Sequence, residues 1–178
     1  MIGHARLLGM VTLAAGMAVS WPPEALGYSS GAPDNPNCNT CHVGGTAPTV
    51  SFMSNNAAVT TLAVPRGSVV TLALRVKSNS PSQKAASFNV TSTSPAVVLR
   101  VPPAPGIKMI GAEVTHSMRR QNDANGIADF PFAIAASSSA TCGSATTLKG
   151  LGNSVRGAGT TSGNKAAPAT LAVTVTCP

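Results

Sequence analysis

From residue 49 onward, apolar and polar side chains alternate in short runs with a period of two. Val70, Leu72, Leu74 and Val76 alternate with Thr71, Ala73, Arg75 and Lys77, the pattern of a strand with one buried face and one wet face. The same alternation sets Phe130, Phe132 and Ile134 against Asp129, Pro131 and Ala133, and Leu171, Val173, Val175 and Cys177 against Ala172, Thr174 and Thr176. Weaker strand runs fall at Thr49–Met53, Ala58–Val64, Ser87–Thr91, Val97–Val101, Ala112–Met118 and Thr146–Leu148. Turn signals separate them at Pro65-Arg66-Gly67, Asn79-Ser80-Pro81, Pro102 to Gly106 and Asp123-Ala124-Asn125-Gly126. No stretch sustains a capped 3.6-residue apolar repeat. The pattern therefore predicts an all-β chain, an antiparallel sandwich of about seven to nine strands over residues 49–178.

The N-terminus follows a different rule. Met1 to Leu8 carries His4 and Arg6 without an acid, Leu7 to Val19 is uncharged and apolar, and Ala25-Leu26-Gly27 supplies the small residues of a cleavage site. Residues 1–27 are read as a signal peptide cleaved before Tyr28, so the chain is exported to the periplasm, the cell surface or beyond. The apolar run is shorter than the roughly 20 residues of a spanning helix, and none follows, so no membrane span is expected in the mature chain. Export delivers the four cysteines to an oxidising compartment.

Length and composition narrow the class. At 178 residues and 17.7 kDa the chain fits one domain with a tail, and 17 Gly with 14 Pro fall short of a low-complexity chain. Aromatic residues are only 3%, which predicts a core of Val, Ala, Leu and Ile with room for another apolar body. The net charge of +7 is dispersed, with only Arg119 and Arg120 adjacent, and gives no nucleic-acid arm. Asp34, Glu113, Asp123 and Asp129 make no close acid–base pair, so hydrolytic catalysis has no support. Asp123-Ala124-Asn125-Gly126 lacks the distal Glu of a calcium loop and reads as a hairpin turn. Gly150 to Gly163 lacks the ending of a phosphate loop and reads as a long surface loop.

Residues 28–48 are polar and without period, and they hold Cys38-Asn39-Thr40-Cys41-His42. Cys-x-x-Cys-His is the attachment motif of haem c: two thiols reach the two vinyl groups, and the adjacent imidazole lies beneath the iron. Residues 28–48 are therefore read as a haem-attachment segment carrying one covalent haem c, with Cys38 and Cys41 as attachment residues and His42 as axial ligand. A Cys38–Cys41 disulfide or thiol pair, and a zinc site using Cys38 and Cys41 with Cys142 and Cys177 or His42, are the competing readings. Cys142 and Cys177 are expected to pair as a disulfide pinning the C-terminal strand. His116 is the remaining imidazole of the mature chain. Alternation puts Val114, His116 and Met118 on one face, which makes His116 the expected distal ligand, with Met118, Met109 and Met53 as weaker thioether candidates. The resulting functional expectation is an exported mono-haem cytochrome-like protein for electron transfer or redox sensing, serving an unidentified redox partner protein. An extracellular binding or adhesion module in which the haem or the disulfides are merely structural and an enzyme with an open iron site are the alternatives.

Several segments together resemble a known family. Gly27 to Pro33, Cys38 to Gly45, Val114-Thr115-His116-Ser117, Gly152-Asn153 and Gly157 to Asn164 are similar to the choice-of-anchor type V domain of exported bacterial proteins, a group akin to the Reeler β-sandwich. The resemblance spans nearly the whole mature chain. It implies an immunoglobulin/Reeler-like sandwich with an N-terminal haem-binding loop, at the cell surface or in the periplasm, and implies that the Thr115-His116 pair belongs to the site. Asn164 stands where that family usually has an acid after Thr-Ser-Gly.

Overall fold

The computed structural model describes residues 43–156 and 162–177. Thirteen strands form there: β1 (Val43–Gly44), β2 (Thr49–Ser54), β3 (Ala57–Val59), β4 (Thr61–Pro65), β5 (Val69–Lys77), β6 (Ala85–Ser92), β7 (Val97–Arg100), β8 (Ile107–Ile110), β9 (Glu113–His116), β10 (Arg120–Gln121), β11 (Ile127–Ala136), β12 (Ala145–Val155) and β13 (Ser162–Thr176). Among the described residues there is no helix, and so none long and apolar enough to cross a membrane. The smaller sheet runs β3-β2-β5-β11-β7. The larger runs β1-β13-β12-β6-β9-β8, with β4 added to β13 and β10 to β6. This is an immunoglobulin-like sandwich: β2, β5, β11 and β7 make one layer, and β6, β12 and β13 form the centre of the other.

Each layer follows from its alternation. In β5 the side chains of Leu72, Leu74 and Val76 are buried, and in β11 those of Phe130, Phe132 and Ile134. They meet Phe88, Val90, Leu148, Leu171, Val173 and Val175 of the other sheet in one core cluster. The four phenylalanines of the chain pair with one another. Phe88 stacks on Phe130 across the layers, with centroids 4.4 Å apart, and Phe52 meets Phe132 edge-on at 6.2 Å. The core is thus closed by side chains, and the vacancy expected from the low aromatic content is filled by these two pairs.

Two prolines lie within strands without breaking them. Pro131 pairs with Ala73 of β5, while β7 reaches only Ala133–Ala136 on the other side. Pro168 pairs with Leu151 and lies between the stretches of β13 that receive β1 and β4. In both places the missing N–H falls on an unpaired side of the strand.

The structure corrects several expectations. There are more strands than seven to nine, because short edge pieces (β1, β3, β8, β10) leave too few residues to show a period. Not all pairing is antiparallel: β1 and β4 both run parallel to β13. The expected surface loop from Gly150 is instead the second half of β12. Its glycines are there for contact, since a Cβ on Gly152 would lie 2.6 Å from Val76 Cγ2 and 2.7 Å from Val50 Cγ2. Asp123 to Gly126 do form a turn, with Gly126 at φ +76° and the Asp123 carboxylate accepting from the N–H groups of Asn125 and Ile127 at 2.9 and 2.8 Å. It is no hairpin, because β10 and β11 belong to different sheets. Cys142 and Cys177 are disulfide-bonded, with Cα atoms 5.5 Å apart, and tie the end of β13 to the loop before β12.

Candidate functional site: an open sheet edge and its cleft

Among the described residues, those singled out by the sequence do not converge. Cys38, Cys41 and His42 lie outside the described residues. His116 ends β9, and its Nδ1 lies 3.0 Å from the carbonyl oxygen of Phe88 on β6, which also accepts the Thr115 hydroxyl at 3.0 Å. That geometry puts the imidazole proton on Nδ1 and uses the ring to tie β9 to β6. Met118 lies beyond β9, which stops at His116. Met118 is 63% exposed and Met109 39%, whereas Met53 is buried in β2 of the opposite sheet.

These placements correct the cytochrome reading. Among the described residues no three His, Cys, Asp or Glu side chains come close enough to hold a metal ion. The proposed distal ligands are spread over two sheets and a loop. The haem c cofactor and the electron-transfer function fall with that reading, while the assignments to Cys38, Cys41 and His42 and to the N-terminal haem loop lie outside the described residues. Among the described residues Cys142 and Cys177 make a structural disulfide. Such bonds form and persist outside the reducing cytoplasm, so the folded domain is an extracytoplasmic one.

The two segments on which the family resemblance is strongest do meet. Val43 pairs with Ser162 and Gly44 with Asn164. A Cβ on Gly45 would lie 2.6 Å from Gly163 O and 2.7 Å from Gln83 Nε2, so only glycine fits. Buried Gln83 donates from Nε2 to Ser154 O at 3.1 Å and Gly163 O at 3.2 Å, and Asn164 Oδ1 accepts from the Arg156 N–H at 2.7 Å. These glycines and amides lock the end of β12 to the start of β13, which is a structural task.

The sequence reading missed the β8 edge. Among the described residues β8 is hydrogen-bonded to β9 alone, in the register Ile107 with His116 and Met109 with Val114. Met109 and Ile110 are exposed on it. At its start lies a hollow of about 230 Å³ lined by Pro105, Gly106, Ile107, Met118 and Phe130, with Arg119 and Arg120 beside them. The available signal was the apolar run Ile107-Lys108-Met109-Ile110 directly after the proline-rich turn. Beyond the hollow, Arg75 grips Asp129 in a bidentate pair, Nε to Oδ1 at 2.8 Å and Nη2 to Oδ2 at 2.7 Å, and Arg120 donates to the Asp129 carbonyl. The carboxylate beside Arg75 holds its guanidinium pKa above the ordinary value.

No family model matches this chain, and no curated protein matches it. Solved structures are similar to it at low identity and low TM-score. BcpA, the major pilin subunit of Bacillus cereus, is 11% identical over 72% of this chain and 40% of its own, with a TM-score of 0.46. AggA, the major subunit of aggregative adherence fimbriae type I from Escherichia coli, is 12% identical over 72% of this chain and 94% of its own, at 0.39. The E. coli chaperone DraB is 10% identical over 76% and 58%, at 0.36. The likeness is one of sandwich architecture.

Proposed function

We propose that the chain is an exported, non-catalytic β-sandwich that works at the cell exterior as a binding or adhesion module, with its disulfide serving structure alone. On this reading residues 1–27 are removed as a signal peptide and the mature chain begins at Tyr28. The resemblance to choice-of-anchor type V domains supports the same exterior address. The observation that carries the proposal is the β8 edge, which among the described residues is paired to β9 alone. Cys142 with Cys177, Asp129 with Arg75 and His116 with Phe88 are engaged within the domain. What faces outward is an apolar strand edge, the element by which sheet proteins recruit another chain.

The test is a deletion strain of the producing bacterium compared with its complemented parent. Attachment to surfaces and cell–cell aggregation should fall in the deletion strain while growth and respiration are unchanged. Unchanged attachment together with loss of a respiratory or other turnover would overturn the proposal.

A further inference from the structure

We propose that the β8 edge and its cleft bind an extended acidic segment of a partner protein, which joins the larger sheet as an additional strand with one bulky side chain in the cleft. This deepens the binding-module reading and rests on it. Three observations converge. First, β8 is paired on one side among the described residues, and strand addition satisfies the backbone groups on the other. Second, the hollow of about 230 Å³ begins beside the first residue of that strand and is walled by Ile107, Met118 and the edge of Phe130. It is below the roughly 300 Å³ at which small-molecule pockets start, so it suits a single aliphatic or aromatic side chain better than a cofactor.

Third, the charge lining the hollow itself is positive, although Asp123 and Asp129 line the hollow that adjoins it at Arg120 and Gln121. Arg119 and Arg120 line the hollow and are exposed, and no carboxylate lines it. The nearby Asp129 carboxylate is taken by Arg75. Complementary charge steers encounter and rejects wrong partners. It selects an acidic strand, and it opposes a second copy of this chain, which would bring a net charge of +7 against the same two arginines.

The probe is a fluorescein-labelled ten-residue peptide alternating Val and Thr, with Leu at its centre and Asp near both ends. Its control carries Lys in place of Asp. By fluorescence anisotropy on the mature chain, the acidic peptide should bind at least tenfold more tightly than the control. Amide NMR shifts should concentrate at Ile107–Ile110 and Met118–Gln121. The double variant R119E/R120E should reverse the preference, and Met118→Glu should weaken acidic-peptide binding at least tenfold. R119S/R120S, which keeps the site neutral, should remove the preference without reversing it, and the NMR spectra report whether each variant is folded.

Equal binding of the two peptides, shifts centred on β3 or β7, or a preference untouched by the arginine variants would overturn the site. So would a concentration-dependent dimer of the chain alone that Met118→Glu abolishes, since the occupant would then be a second copy. Peptide failure with attachment still lost in the deletion strain removes this site and leaves the adhesion reading. Peptide binding with attachment unchanged does the opposite.

Discussion

A Cβ placed on Gly150 would lie 2.7 Å from Leu74 Cδ1 and 2.9 Å from Phe52 Cζ. The two sheets approach each other here because β12 presents no side chain to the centre of β5. Gly150→Ala must push Leu74 or Phe52 off its packed position, and overpacking of this kind costs about 1–3 kcal/mol. Urea unfolding should show that loss, and the same substitution in a Leu74→Ala background should cost clearly less. A fully stable Gly150→Ala protein would contradict the packing described.

The disulfide closes a segment of 35 residues between Cys142 and Cys177. In the chain-entropy model a loop of that length contributes about 3–4 kcal/mol, by restricting the unfolded chain. The double variant C142S/C177S should therefore unfold at markedly lower urea while keeping its sheet signature. A loss below about 1 kcal/mol would show that the bridge is incidental to stability.

Ser154 is fully buried, and its hydroxyl oxygen has no partner among the described residues. A buried hydroxyl without a hydrogen bond costs stability. Ser154→Ala should thus be neutral or stabilising by about 0.5–1 kcal/mol in thermal unfolding. A loss of more than about 1 kcal/mol would mean that the hydroxyl is bonded in solution.

The Arg75–Asp129 pair is the cross-strand clasp of β5 and β11, but both side chains are partly exposed, at 30% and 40%. Solvent screening limits such a pair to about 0.5–1 kcal/mol. A double-mutant cycle with Arg75→Met and Asp129→Asn should return that coupling, smaller in high salt. Because the folded arginine has a raised pKa, its contribution is complete below the ordinary value and is lost only as pH rises through the still higher folded one. Titration of Arg75 therefore leaves the coupling level between about pH 6 and 9, and a fall across that range would contradict the assignment.

How much of this was legible in the sequence depended on what fills the inward positions. β5, β11 and the end of β13 were legible because every inward residue is a large hydrophobe. β12 was not, because its inward positions beyond Leu148 are Gly150, Gly152 and Ser154, which register as loop although they are buried or pressed against the core. The alternation through Val114 and His116 appeared to continue to Met118, but β9 ends at His116 and Met118 is exposed. Periodicity also carries no information on parallel pairing, so the junction of Val43–Gly44 with Ser162–Asn164 emerged only in three dimensions. The haem expectation rested on a five-residue motif and a shortage of aromatics. Stacked Phe88 and Phe130 supply what the composition lacked.

The central claim is that this domain acts by holding a partner at its open edge. Cell attachment by a strain exporting Met118→Glu at wild-type level, measured beside the deletion and complemented strains, tests it most directly. The account predicts attachment reduced to the level of the deletion strain although the variant is folded and exported. Attachment equal to that of the complemented strain would contradict it.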